Sequence, residues 1–181
     1  MKSLKEKRSK KNTRTKQIVV GLVLVVVMLL STLGYAFQGT TQKKSKDVVY
    51  GDYTFVGVGG NWNLKGTNLY FNYNPSETPD LNLSFPDYNQ KEVYLDIKNF
   101  EIKSEVTNIL SYVALRVQDA CLEGEECLEN VPIKDCTNNL IIVREGENSY
   151  LDKNCVFIQS SEEDLMKTVD GFLFKLLGIK Q

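Results

Sequence analysis

The chain has 181 residues and a net charge of −1, and this small value hides a strong asymmetry along its length. Residues 1–16 contain eight Lys/Arg and one acid, whereas residues 48–181 contain eleven Lys/Arg and twenty-one Asp/Glu, a net charge of −10. An acidic domain repels phosphate backbones, so the composition argues against nucleic-acid binding by the larger part of the chain.

The first predicted element is a transmembrane helix over residues 18–37, a run of twenty residues without a charge. As a helix this run would span about 30 Å, the thickness of the hydrocarbon core of a bilayer. Since the basic segment precedes it, residues 1–17 are predicted to form a cytoplasmic head and the rest of the chain to lie outside the cell membrane. The lipid bilayer is therefore the predicted partner of residues 18–37.

A cleaved signal peptide is the alternative interpretation of the same run. Gly34-Tyr35-Ala36 places small residues at the two positions that a signal peptidase reads. The long basic head and the length of the apolar run favour an uncleaved anchor. Both interpretations export the acidic domain, so the predicted localisation does not depend on the choice between them.

The exported domain is predicted to cover residues 48–181, after a polar tether over residues 38–47. Strand-forming residues fill the segment 48–58, and Gly59-Gly60 predicts a tight turn after it. Apolar and polar residues then alternate in three further segments, which are predicted to be strands: 61–73, 81–85 and 93–97.

The second half of this domain is predicted to contain two helices and a hairpin. Apolar residues at helical spacing predict a helix over residues 103–120. Two strands over 139–144 and 150–158 are predicted to form an antiparallel hairpin. A last helix is predicted over 161–177, with Ser160 or Ser161 as its N-cap. The order of elements predicts an α+β domain with two helices packed on one mainly antiparallel sheet.

All four cysteines, Cys121, Cys127, Cys136 and Cys155, belong to the predicted exported domain. Disulfides persist in an oxidising exterior, whereas a zinc site is disfavoured by the cysteine spacing and by the absence of His from the sequence. In the predicted hairpin, position 136 lies opposite about position 157. We therefore predict the pairs Cys136–Cys155 and Cys121–Cys127.

No catalytic, cofactor-binding or metal-binding residues are predicted. Without His, the chain lacks the commonest general base and the Ser-His-Asp and Cys-His arrangements. The acidic stretch 119–129 offers carboxylates to Ca²⁺ but lacks EF-hand spacing, which favours a solvated loop. The glycines at 57–60 lack the Lys-Ser/Thr of a phosphate loop, which favours a hairpin turn.

Two surface features are predicted in the strand-rich half of the domain. Asn82-Leu83-Ser84 is an N-glycosylation sequon on the exported side, with Asn82 as the acceptor. Trp62, Tyr70 and Tyr73 could form a binding surface, although aromatic residues at strand spacing are more often part of a core.

These observations favour a binding or interaction module of the cell envelope, whose partner would be an envelope protein or a glycan. Two alternatives remain open. One is a hydrolase that uses paired carboxylates, which are plentiful in this acidic domain. The other is an accessory subunit of a membrane complex.

Two stretches carry a resemblance to known proteins. One runs from Tyr53-Thr-Phe through Trp62 to Phe71-Asn-Tyr-Asn-Pro75, and the other runs from Asn154-Cys-Val-Phe-Ile158 through Asp164-Leu165 to Asp170-Gly-Phe-Leu-Phe-Lys-Leu-Leu-Gly-Ile179. With the basic head and the single span, the chain resembles uncharacterised single-pass membrane proteins of archaea that have a small exported α+β domain. The resemblance implies a topology and a fold, and it implies no activity, substrate or site residue.

Overall fold

The computed structural model describes residues 16–29, 47–127 and 130–180. The chain divides into two compact units, Met1–Lys44 and Ser45–Gln181. In the first unit, residues 16–29 are helical (α1), and the large apolar side chains of this helix are exposed. Among the described residues, no helix is both long and apolar enough to cross a membrane. The predicted span extends to residue 37, so its last part, most of the basic head and nearly all of the tether lie outside the described residues.

The second unit contains strands and two helices. In chain order, its elements in the described part of the chain are β1 (Val48–Tyr50), β2 (Tyr53–Val58), β3 (Asn61–Leu64), β4 (Tyr70–Phe71), β5 (Glu92–Ile97), α2 (Phe100–Leu110), β6 (Arg116–Asp119), β7 (Cys121–Leu122), β8 (Ile133–Lys134), β9 (Leu140–Glu145), β10 (Tyr150–Asp152), β11 (Cys155–Ser160) and α3 (Leu165–Leu176). The predicted α+β class, with an antiparallel sheet and helices, is therefore confirmed.

The first four strands form the antiparallel sheet β1-β2-β3-β4. Gly59 and Gly60 connect β2 to β3 with φ angles of 62° and 99°, a region that glycine enters without steric cost. Two residues with positive φ are typical of a tight hairpin turn, so the predicted turn at Gly59-Gly60 is confirmed. Residues 81–85, in contrast, form no strand, because Leu83 and Phe85 pack into the core from an extended loop.

The larger sheet has the strand order β10-β11-β9-β5-β6 and is mainly parallel, which corrects the prediction of a single, mainly antiparallel sheet. Strand β9 pairs parallel with both β5 and β11, and β5 pairs parallel with β6. Leu140 to Val143 of β9 are all buried, on both faces of the sheet. Such a continuous apolar run is typical of a strand inside a parallel sheet.

The predicted hairpin between 139–144 and 150–158 is wrong. The second segment contains two strands, β10 and β11, which form their own antiparallel hairpin with Asp152 opposite Cys155. Lys153 adopts a φ of 52° in the turn between them. Strand β11 can therefore lie parallel to β9, because the chain reverses twice between the two strands.

Both helices are shorter than predicted. The side chain of Asn99 accepts hydrogen bonds from the N–H groups of Glu101 and Ile102 and so caps α2, which begins at Phe100, three residues before the predicted start. The helix ends at Leu110, and Val117 contributes to β6 instead of to the helical stripe. Helix α3 begins after Asp164, so neither Ser160 nor Ser161 is its N-cap residue.

The main core lies between the two helices and one face of the larger sheet. Alternate residues of β5, namely Val93, Leu95 and Ile97, are buried on this face. The antiparallel sheet joins the same core through aromatic contacts, since Phe174 of α3 lies 5.5 Å from Phe55 and 4.5 Å from Phe71, measured between ring centroids. Offset and edge-on ring pairs of this kind add to the stability of a core.

Gly171 illustrates how tightly α3 packs against the loop that precedes β5. A Cβ at this position would lie 2.8 Å from the carbonyl oxygen of Pro79, which is a backbone atom and cannot rotate away. Alanine would gain about 1 kcal/mol of helix propensity, but overpacking typically costs about 1–3 kcal/mol. The net expectation is that Gly171→Ala destabilises the domain by roughly 1 kcal/mol, and by about 2 kcal/mol at most, in thermal or urea denaturation.

Gly146→Ala is the matched control for this substitution. The two nearest atoms to a Cβ at Gly146, at 2.6 and 2.7 Å, are the terminal Oε1 and Cδ of Gln159, which can rotate away, and the Cβ of Gln159 follows at 3.0 Å. We therefore expect a smaller effect at position 146. Equal or greater stability of Gly171→Ala than of the wild type would contradict the proposed contact with Pro79.

Candidate functional site

A groove of about 460 Å³ lies where β3 and β4 meet α2. Its lining combines aromatic rings, side-chain amides, a hydroxyl and carboxylates: Asn61, Tyr70, Phe71, Asn72, Phe100, Glu101, Ser104, Glu105 and Asn108. Concave sites with an apolar surface and a few placed polar groups are the usual location of ligand binding. This groove is the candidate functional site.

Two aromatic side chains of the groove remain accessible to solvent. Phe100 is 83% exposed and Tyr70 is 46% exposed, although both belong to regular elements. Strand alternation explains Tyr70, because its neighbour Phe71 occupies the core side of β4. Phe100 is the first residue of α2, whose core-facing side begins with Ile102. The groove thus presents flat apolar surface to the solvent.

The charged side chains that line the groove are carboxylates, Glu101 and Glu105. The amides of Asn61, Asn72 and Asn108 can each donate and accept hydrogen bonds. A site that combines negative carboxylates with neutral amides repels polyanions and suits a ligand that has many hydroxyl groups.

A buried carboxyl pair lies beside the groove, formed by Glu105 of α2 and Asp170 of α3. Asp170 is completely buried, and its Oδ2 accepts a hydrogen bond from the backbone N–H of Tyr73 at 2.7 Å. Oε2 of Glu105 accepts from Nδ2 of Asn72 at 2.8 Å. The other two oxygens, Glu105 Oε1 and Asp170 Oδ1, are buried and have no N–H or O–H partner among the described residues.

One shared proton satisfies both of these oxygens, since the two carboxyl groups interact directly. Burial, followed by the negative charge of Glu105, raises the pKa of Asp170 from its ordinary value of 3.8 to about 10. Burial also raises the pKa of Glu105. Near neutral pH, Asp170 is therefore protonated, and its O–H can donate a hydrogen bond to the carboxyl group of Glu105.

The geometry of this pair differs from that of paired catalytic carboxylates. Glycosidases hold their two carboxyl groups about 5 Å or more apart, with the substrate between them. Here the two groups are hydrogen-bonded to each other, and Asp170 has no exposed surface. The pair instead ties α2 to α3 and to the backbone after β4. Sequence patterns did not identify this carboxyl pair. The feature that could have indicated it is Asp170, a charged residue inside the apolar stripe of α3.

The predicted disulfide pairs are present, at Cys121–Cys127 and Cys136–Cys155, with Cα–Cα distances of 6.0 and 4.9 Å. The second pair forms without the predicted hairpin. The backbone N–H of Asn154 donates to the carbonyl oxygen of Cys136 at 3.2 Å, which places the segment before β9 beside the start of β11. Cys155 itself is fully buried.

The other predicted features lie apart from the groove. Asn82 and Ser84 of the sequon are exposed in the loop between β4 and β5, and glycosylation of Asn82 stays a prediction. The described residues contain no cluster of three or more His, Cys, Asp or Glu side chains that could hold a metal ion. Asp119 of the acidic stretch pairs with Lys103, and Glu129 is outside the described residues.

The predicted aromatic surface is divided by the fold. Tyr70 contributes to the groove, Trp62 packs against the main core, and Tyr73 is half-buried. Phe100 was not predicted to take part, because it lies before the predicted helix.

No protein family, curated protein or solved structure matches the chain.

Proposed function

We propose that this chain is a membrane-anchored binding module of the cell envelope and that its groove binds a glycan. Residues 18–37 would hold the module on the outer side of the cell membrane. The observation that carries the proposal is the placement of two exposed rings, Phe100 and Tyr70, beside amide and carboxylate groups in one concavity.

The chemistry of a neutral sugar complements each part of this lining. The C–H faces of a pyranose ring are apolar and stack on exposed aromatic rings such as Phe100 and Tyr70. Sugar hydroxyls donate to carboxylates, and they both donate to and accept from amides such as Asn61 and Asn108. The acidic character of the domain disfavours anionic polymers by charge repulsion. A neutral oligosaccharide is therefore the proposed ligand class.

The proposal is tested with the full-length chain in detergent micelles, using calorimetric titration with a panel of neutral gluco-, manno- and galacto-oligosaccharides. We expect at least one member to bind, and we expect Phe100→Ala to weaken that binding about tenfold or more, which corresponds to about 1.4 kcal/mol. The substitution removes the surface on which the sugar would stack. It leaves the fold intact, because the Phe100 side chain is mostly exposed.

Tyr112→Ala is the matched control, since Tyr112 is also an exposed aromatic residue, 59% accessible, but does not line the groove. Its affinity for the sugar should equal that of the wild type. Absence of binding across the whole panel, or equal affinity of Phe100→Ala and wild type, would refute the glycan proposal. Release of new reducing ends from the sugar would instead favour a hydrolase.

A further inference from the structure

A second concavity, of about 250 Å³, opens at the carboxyl ends of the parallel strands β5 and β6. Ligands of sheets with parallel strands often bind at this edge, because the loops and helix starts that follow the strands surround it. Here α2 begins directly after β5, and the loop closed by the Cys121–Cys127 disulfide follows β6. The cavity is separate from the groove and shares no lining residue with it.

The polar lining of this cavity contains both signs of charge. Nζ of Lys103 donates to Oδ2 of Asp119 at 3.1 Å, so a positive and a negative group stand side by side in its wall. An ammonium group carries three N–H donors and a carboxylate carries two acceptor oxygens, so each partner can also bind a ligand. Lys98 and Glu126 add a further charge of each sign to the lining.

The rest of the lining is largely apolar. Ile97 ends β5, Ala120 follows β6, and Val131 lies in the segment that leads to β8. The disulfide of Cys121 and Cys127 completes this wall and restrains the loop. An apolar wall of this kind suits a short aliphatic group.

We propose that this cavity binds a free α-amino acid with an aliphatic side chain. The ligand's carboxylate and ammonium are neighbours on one carbon, and the Lys103–Asp119 pair presents the complementary charges in a similarly close arrangement. Lys98 strengthens the contact to the carboxylate, and Glu126 strengthens the contact to the ammonium. The aliphatic side chain lies against Ile97 and Val131. This proposal does not depend on glycan binding by the groove.

The composition of the cavity disfavours other ligand classes. A simple anion would meet three carboxylates, those of Asp96, Asp119 and Glu126, against two lysines. A divalent cation would lack a ligand cluster among the described residues. A purely apolar ligand would desolvate the charged groups of the cavity and offer them no hydrogen bond in place of water, which costs free energy.

The experiment is an amide NMR titration of the full-length, isotope-labelled chain in detergent micelles with L-leucine. We expect saturable shifts of the amide signals of Ile97, Lys98 and Ala120. Leucinamide lacks the carboxylate and 4-methylpentanoate lacks the ammonium, so each should bind about tenfold more weakly or worse. Lys98→Gln should also weaken L-leucine binding several-fold, and its exposed position leaves the fold intact.

Lys91→Gln is the matched control, because Lys91 is an exposed lysine just before the opposite end of β5. It should bind L-leucine as the wild type does. The proposal is overturned if these three amides do not shift at L-leucine concentrations up to about 50 mM, well above the millimolar range of weak specific binding. Equal binding of L-leucine and both analogues, or of Lys98→Gln and wild type, would overturn it as well.

Discussion

Asp170→Asn is expected to match the wild type in stability at pH 5 and to remove much of the stability loss that the wild type undergoes as the pH rises. The amide reproduces the hydrogen bonds of the protonated carboxyl group. Its oxygen can accept from the backbone N–H of Tyr73, and its NH₂ group can donate to Oε1 of Glu105 in place of the Asp170 proton. Unlike the carboxyl group, the amide cannot ionise.

The direction of the pH effect follows from the pKa of Asp170. In the folded protein this pKa is raised from 3.8 to about 10. Between about pH 4 and pH 10 the folded protein keeps this proton, whereas the unfolded chain releases it. The free energy of unfolding that the proton contributes is therefore complete below about pH 4 and falls progressively as the pH rises toward 10. A single group of this kind changes the free energy of unfolding by at most about 1.4 kcal/mol per pH unit.

The measurement is urea denaturation of the wild type and Asp170→Asn at several pH values between 5 and 9. Asp170→Ala should lose about 2–4 kcal/mol at pH 5, because it leaves the Tyr73 N–H and the Glu105 carboxyl group buried without their partner. Asp164→Asn is the control from the same end of the chain. The pKa of Asp164 is lowered, chiefly by its hydrogen bond to Lys167, so this substitution should leave the slope between pH 5 and 9 unchanged. An unaltered slope in Asp170→Asn would show that the two carboxyl groups do not share a proton.

Removal of the Cys136–Cys155 disulfide is expected to cost about 3 kcal/mol of stability, and removal of Cys121–Cys127 about 2 kcal/mol. The first bond joins residues 19 positions apart and the second joins residues 6 positions apart, so the first restricts the unfolded chain more. Cys155 is also fully buried between neighbouring strands, whereas Cys127 is exposed. The expected order of effects therefore has two independent causes.

Paired alanine substitutions, Cys136→Ala with Cys155→Ala and Cys121→Ala with Cys127→Ala, test this order by denaturation under non-reducing conditions. Mass spectrometry after alkylation provides the chemical check. The wild type purified from its host should take up no alkylating reagent before reduction and four equivalents after it. Alkylation of the unreduced protein would contradict both the disulfides and the oxidising location from which they were predicted.

Local patterns in the sequence were sufficient for the elements whose conformation depends on their own residues. The alternation around Val93, Leu95 and Ile97 predicted β5, and Gly59-Gly60 predicted the turn before β3. The stripe of α3 was recognised because helical periodicity repeats within one segment. The cysteine pairing was also correct, although the hairpin used to derive it does not exist. The transmembrane helix over residues 18–37 stays a prediction.

Tertiary structure alone decided which strands pair, where polar groups become buried and which surfaces remain open. Apolar periodicity shows that a segment has a buried face, but it does not specify the strand that covers it, so the parallel pairing of β9 with β5 and β11 was missed. Val117 fits the helical spacing of the apolar residues in α2, yet in the structure it belongs to β6, where it pairs with β5. Glu105 and Asp170 are 65 positions apart in the numbering. Only the packing of α2 on α3 brings their carboxyl groups together, because that contact depends on the shapes of two surfaces and not on the pattern within either helix.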